Sequence, residues 1–204
     1  MTAYVFGFGS LALRDGIPCR LRGHRREWGV AMDNRRTIPG YKFYVDPVTG
    51  ERPAVFVAFL DIRPDPDREV NGVAFPVAGD ALEALDERER SYERIDVSAL
   101  VELDGRVWAY RGRAAARERL AAGRRAGTAV VARLYLEQIR AGFAAYGALE
   151  EFDRTTDDRR PPLRDLRRID VPAASRLDVR PHDDRDGMYG LELQEEDHDG
   201  EAQP

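Results

Sequence analysis

One cysteine in 204 residues, Cys19, excludes an internal disulfide and points to a reduced, cytoplasmic setting. Histidine is nearly as scarce: His24 stands alone in the first 180 residues, and His182 and His198 lie near the C-terminal end. One histidine and one cysteine cannot assemble a metal site of ordinary ligand spacing, so no metal is expected. A Ser–His–Asp set would have to use His24, which follows Gly23 among arginines. A proton carrier in this chain is therefore expected to be a carboxylate. No apolar run approaches the roughly 18 residues of a membrane span, and no charged-then-apolar leader opens the chain. No membrane partner is expected.

A basic stripe is missing too. The formal net charge is −5, but residues 181–204 hold nine acids against one base, Arg185. Residues 1–180 are left with 28 acids and 31 bases, a body near +3. Without basic residues interleaved with aromatics, that body gives no electrostatic case for nucleic acid. The acidic end reads as a solvated, disordered tail over 181–204. Residues 1–180 then form one domain, with a core over about 3–153 and enough chain to bury a real interior. The oligomeric state stays open.

What is present begins with a strand. Ala3-Tyr4-Val5-Phe6 favours a buried extended conformation and runs into Gly7-Phe8-Gly9-Ser10-Leu11. Gly7 and Gly9 let the chain bend sharply and approach a ligand closely, with N–H groups free to aim at an anion. Gly16 and Pro18 forbid a long helix afterwards, which argues against the dinucleotide fingerprint that Gly7-x-Gly9-x-x-Ala12 formally matches. Residues 26–34 read as a strand and 35–52 as a loop-rich excursion anchored by Tyr41, Phe43 and Tyr44. Residues 54–62 and 69–77 read as a hairpin turning at Pro64-Asp65-Pro66-Asp67. A helix is expected over 80–92 with Asp80 as N-cap and Glu83 in a capping-box position. A second hairpin follows, residues 95–103 and 106–110 around Asp104-Gly105. Helices are expected over 113–125 and 128–146, the latter stopped by Gly147, and a short one through Leu149 and Phe152. From Pro161 prolines and charges dominate, and order is expected to fade near 180. The class is α+β.

One residue breaks the pattern. On a helix over 80–92, Leu82, Leu85 and Tyr92 define the inward face, and Glu89 falls on that same stripe. Burial disfavours an ionised carboxyl and raises its pKa, which suits it to move protons near neutral pH. The alternative is a structural ion pair with Arg88 or Arg94.

Val5-Phe6-Gly7-Phe8-Gly9-Ser10-Leu11, then Gly72-Val73-Ala74-Phe75, then Leu85-Asp86-Glu87-Arg88-Glu89 and Tyr92, together resemble the γ-glutamylcyclotransferase-like superfamily. Its members include plain γ-glutamylcyclotransferases, γ-glutamylamine cyclotransferases and glutathione-specific ChaC-type enzymes. The resemblance implies a mixed β-barrel with helices packed around it. It implies cyclisation of a small-molecule γ-glutamyl compound to 5-oxoproline, with release of an amine or amino acid and no cofactor. It makes Glu89 catalytic and assigns Val5, Phe6, Gly7, Phe8, Gly9 and Ser10 to substrate binding. Tyr110 is a further substrate-binding candidate, with a core aromatic as its other reading. Two departures stand out. Phe8 occupies a position where the superfamily has tyrosine. Arg90-Ser91 replaces the two glycines of the ChaC-type pattern, one residue shorter, which argues against glutathione as a dedicated substrate. A non-catalytic binding member of the same fold is the alternative.

Overall fold

The computed structural model describes residues 2–173. The expected tail, and the part of the domain from residue 174 on, lie outside the described residues. Strand β1 (Ala3–Gly7) is the centre of the sheet. Its Val5 pairs antiparallel with Phe75 on one edge and parallel with Trp108 on the other. The partners are β4 (Phe56–Val77) and β6 (Arg106–Gly112). Beyond β6 lies β5 (Tyr92–Asp96), and along β4 runs β2 (Ile17–Asp33). Two short parallel strands, β7 (Ala129–Ala132) and β8 (Leu163–Arg164), complete a mixed seven-stranded sheet. An isolated bridge from Leu21 to Val101 ties the far edge of β2 to the β5–β6 connection and curls the sheet toward a barrel. Strand β3 (Lys42–Val45) pairs separately with β9 (Arg167–Asp170). Helices α1 (Gly79–Arg88), α2 (Ala114–Arg125), α3 (Arg133–Ala145) and α4 (Leu149–Thr155) pack around this framework. No helix of the described residues is long and apolar enough to cross a membrane.

Several expected elements are rearranged, each because tertiary pairing overrides a local signal. The hairpin within 54–77 does not form: both halves belong to β4 and pair with β2 along one edge. Pro64 pairs with His24 and Glu69 with Arg22, so residues 65–68, Pro66 among them, stand out as a bulge opposite Gly23. Proline fits a bulge, where no ladder hydrogen bond is asked of it. The helix expected over 128–146 starts only at Arg133, because Ala129-Val130-Val131-Ala132 is taken up by the edge of β4. The helical spacing of Val131, Leu134, Tyr135, Ile139, Phe143 and Tyr146 predicts one inward face, but Leu134 is 50 % exposed, and the buried residues of α3 are Leu136, Ile139 and Phe143. The expected turn at Asp104-Gly105 is part of a longer connection that includes a 3-10 turn at Ser98–Leu100. Residues 42–45, read within a loop-rich excursion, and 167–170, read within a stretch dominated by prolines and charges, are the paired strands β3 and β9. After β1 comes only a single 3-10 turn, Ser10–Leu13, so the helix a dinucleotide site requires is absent there.

The interior holds two charged side chains whose hydrogen bonds knit the layers together. Asp61 on β4 is fully buried and accepts the N–H groups of Gly112 at 2.6 Å and Ile62 at 2.8 Å, and Nε of Arg117 at 2.8 Å. A Cβ at Gly112 would lie 2.6 Å from Asp61 Oδ2, so glycine is what lets β6 reach this carboxylate. Arg26 on β2 is equally buried, its guanidinium 4.6 Å from the Phe152 ring centre and 5.0 Å from that of Phe143. It donates to Asn71 Oδ1 at 3.0 Å and to Thr156 Oγ1 at 3.2 Å, joining β2, β4 and the end of α4. Burial pushes the Arg26 guanidinium down to about 9. Removing one partner of a buried pair strands the other charge, at a cost of about 3 kcal/mol. Arg117→Met leaves the fully buried Asp61 carboxylate without its counter-charge and is expected to lose stability on that scale in urea unfolding. Asp61→Asn, which removes the buried charge, keeps an oxygen acceptor for the Gly112 and Ile62 N–H groups and leaves only a quarter-exposed guanidinium behind, should lose clearly less.

Candidate active site

Helix α1 is shorter than expected: it ends at Arg88, and Glu89 is its C-cap rather than a residue inside it. Asp80 lies in the first turn, and Ala78 is the N-cap. Tyr92 leaves the helix because it opens β5, paired with Gly112 of β6. The turn between is tightly held. Glu89 N–H donates to the Leu85 carbonyl at 2.8 Å, and the Glu89 carbonyl accepts Tyr92 N–H at 2.7 Å. Leu85 anchors the helix in a cluster with Val5, Leu11, Phe75 and Tyr110. One residue on, Asp86 accepts the Tyr110 hydroxyl at 2.8 Å and faces Arg94 at 3.2 Å. The spacing Leu85-Asp86-x-x-Glu89 thus has a physical meaning: a core anchor, a polar clamp, and a carboxyl set down just past the helix end.

That carboxyl enters a cavity of about 570 Å³ that it shares with Ser10, Lys42, Tyr135 and Arg168. Only 14 % of the Glu89 side chain remains exposed. Burial raises its pKa, against the opposing pull of Arg88, Lys42, Arg14 and Arg168. The contact with Arg88, Nε to Oε1, is 3.5 Å, so the ion pair read as the structural alternative is present on one side of the carboxyl. Arg94 faces Asp86 instead.

The N-terminal bend meets this cavity at its end, not along its length. Val5 and Phe6 are fully buried, with their backbones engaged by β4 on one side and β6 on the other. Gly7 pairs with Val73, and a side chain there would collide with the backbone of Leu11 and Ala12. The glycine serves the chain's own close packing. Phe8, Gly9 and Ser10 line a small pocket of about 30 Å³ together with Tyr92, Tyr110 and Tyr135. Ser10 and Tyr135 border both spaces. Tyr110, through its hydroxyl, clamps α1 as well as bordering the small pocket. Its acidity is suppressed by burial and by the Asp86 carboxylate it bonds. His24 is spent locally, its Nδ1 3.2 Å from the Arg22 carbonyl oxygen.

Sequence reasoning missed Lys42, Tyr41, Tyr135 and Arg168 as cavity residues. Lys42 did carry a signal: it is the only lysine in the chain, beside 31 arginines. Its Nζ rests 4.6 Å from the Phe59 ring centre and 5.3 Å from that of Tyr41. Burial, then the like charge of Arg168, lowers its pKa to about 8, with Glu89 pulling the other way.

A scan of family profiles matches residues 5–125 to "Gamma-glutamyl cyclotransferase, AIG2-like". Among curated proteins no sequence matches significantly. Among solved structures, one titled "Gamma-glutamyl cyclotransferase" aligns with TM-score 0.48 and 16 % identity over 78 % of this chain and 90 % of its own. An uncharacterized protein of Homo sapiens aligns with TM-score 0.46 and 17 % identity, over 77 % and 90 %. A glutathione-specific γ-glutamyl cyclotransferase from yeast aligns with TM-score 0.39 and 16 % identity, over 54 % and 69 %.

A raised folded-state pKa at Glu89 has a consequence for stability. The folded chain binds this proton more tightly than the unfolded chain does. The contribution is therefore fully present below the unfolded pKa, near 4.3, and is lost as pH rises through the folded one. Glu89→Gln is therefore expected to be more stable than the wild type at pH 7, by a margin that shrinks at pH 4. Paired urea titrations check this, and a pH-independent difference would contradict it.

Proposed function

The chain belongs to the gamma-glutamyl cyclotransferase, AIG2-like family, and on that footing we propose that it cyclises a γ-glutamyl compound to 5-oxoproline, with Glu89 as the proton carrier. The observation that carries this reading is one carboxyl, largely withdrawn from water and raised in pKa, in a cavity that also reaches Ser10 at the end of β1.

The chemistry needs little else from the protein. The nucleophile and the carbonyl belong to one small molecule, so holding the folded conformer supplies much of the rate. The Glu89 carboxylate takes a proton from the α-ammonium. The free amine attacks the γ-carbonyl carbon, and a ring C–N bond forms. The carboxyl then returns its proton to the departing nitrogen as the original amide C–N bond breaks. The second proton shed by the ring nitrogen also ends on the released amine, so one ammonium is consumed and one is produced. A base whose pKa is raised toward the working pH serves both directions of transfer.

The bend supports this reading more narrowly than the resemblance implied. Val5, Phe6 and Gly7 would act as framework, and substrate would meet the bend at Phe8, Gly9 and Ser10. Phe8 offers no hydroxyl there. In the proposal Tyr110 acts chiefly by holding α1, so Tyr110→Phe should loosen the seat of Glu89 while keeping an aromatic ring at the small pocket.

The deciding experiment measures 5-oxoproline released from a panel of γ-glutamyl amino acids, γ-glutamyl amines and glutathione. Glu89→Gln is expected to lose at least about 10²-fold in kcat, the lower range for removing a general acid–base group, with its fold intact by circular dichroism. An undiminished rate in that variant would end the assignment. Calorimetric binding of the panel without turnover by the wild type would support the non-catalytic alternative instead.

A further inference from the structure

The cavity's charges do not cancel. Arg88 faces Glu89 at 3.5 Å. Arg168 is engaged by Asp170, its Nε 2.7 Å from Oδ1. Lys42 is left over: among the described residues no carboxylate lies within 4 Å of its Nζ and no hydrogen bond reaches it. It stands on β3 where Lys42 pairs with Asp170 and Tyr44 with Arg168 in the backbone register, so β9 completes its wall. Two aromatic rings and a partly closed cavity replace much of the water that an ammonium otherwise holds. Such a charge is stabilised by an anion brought in from outside. Lysine, a compact ammonium with three rotatable donors, can follow a small carboxylate in a way that a guanidinium fork cannot.

Resting on the cyclotransferase reading above, we infer that Lys42 binds the carboxylate of the substrate's departing half. The preferred substrates are then γ-glutamyl amino acids or peptides with a free carboxylate beside the scissile amide, rather than γ-glutamyl amines. The charge balance favours this choice. The glutamyl end of any substrate carries one ammonium and one carboxylate and is neutral overall, so a carboxylate on the leaving half makes the whole molecule −1. That matches the single uncompensated positive charge. The layout favours it too. With the glutamyl end at Ser10 and the reacting carbonyl at Glu89, the leaving half extends into the remaining space, whose walls include Lys42, Tyr41 and Leu166. Arg168 and Asp170, as a pair, contribute little net charge there.

The test compares γ-glutamyl-alanine with γ-glutamyl-alaninamide, which differ only in that carboxylate. The wild type is expected to prefer the acid by about tenfold or more in kcat/KM, the low end for a charge-assisted hydrogen bond, mainly through KM. In Lys42→Met the ratio should fall to within about twofold, while Lys42→Arg keeps part of it. Loss of the Lys42 charge also acts on Glu89, but equally for both compounds, so the ratio isolates the contact. If Lys42→Met does not fold, Lys42→Gln carries the same comparison. A wild type without preference, or a ratio unchanged in Lys42→Met, overturns the inference. Calorimetry on Glu89→Gln, with and without Lys42→Met, reads the same ratio as affinities without turnover. If the wild type cyclises neither compound but does cyclise γ-glutamyl amines, the inference is overturned while the functional reading stands; if it cyclises nothing in the whole panel, the functional reading fails, and the affinity ratio still decides the role of Lys42. Absence of binding by both compounds overturns the role of Lys42 as well.

Discussion

The site depends on where α1 stops. Residues 92–96 are claimed by the ladder with β6, so the helix cannot run on, and the turn at 89–91 has to absorb the change of direction. The Glu89 backbone is held by its N–H donating to the Leu85 carbonyl and its carbonyl accepting from Tyr92 N–H, and Leu85 and Asp86 hold the helix behind it. A carboxyl on a rigid mount is thereby carried into a cavity it would not choose for solvation alone. Had the helix continued through Tyr92, the same side chain would sit on a packed helical face. The C-cap position is what opens it to the cavity.

The electrostatics then follow from competition. Desolvation raises the pKa of Glu89, and four nearby cations lower it; desolvation wins. The same cavity lowers the pKa of Lys42 for the same reason, with Arg168 adding to the effect. An acid shifted up and a base shifted down, near one another, draw their protonation ranges toward neutrality. Part of the wall responsible for this, β9, lies beyond the residues matched by the family profile.

Much of this was legible in the residues. Glu89 announced itself as a carboxyl on an apolar stripe, and the glycine bend after β1 marked the other end of the cavity. Strands 3–7 and 106–112 and helix 114–125 were accessible from composition and turn residues, whereas strand 92–96 was not, its first residue fitting the end of a helix and its last two the start of a longer strand. What failed was long-range pairing. Pro64 to Asp67 looks like a turn to any local rule, and only the partner strand β2 shows that the chain passes through it as a bulge. Val130 and Val131 fit a helical face and an edge strand equally well, and β4 decides between them. Lys42 and Arg168 are 126 positions apart, and nothing local says that β3 and β9 meet. The solitary lysine was visible as a compositional oddity, but its meaning required the cavity.

The central claim is that Glu89 carries the proton, and it is most directly tested by following the Glu89 side-chain carboxyl carbon by NMR through an acid titration. Its midpoint is predicted to lie above the ordinary glutamate value of about 4.3 and to coincide with the acid limb of 5-oxoproline release. A midpoint at or below the ordinary value, or an acid limb that persists unchanged in Glu89→Gln, would contradict the account.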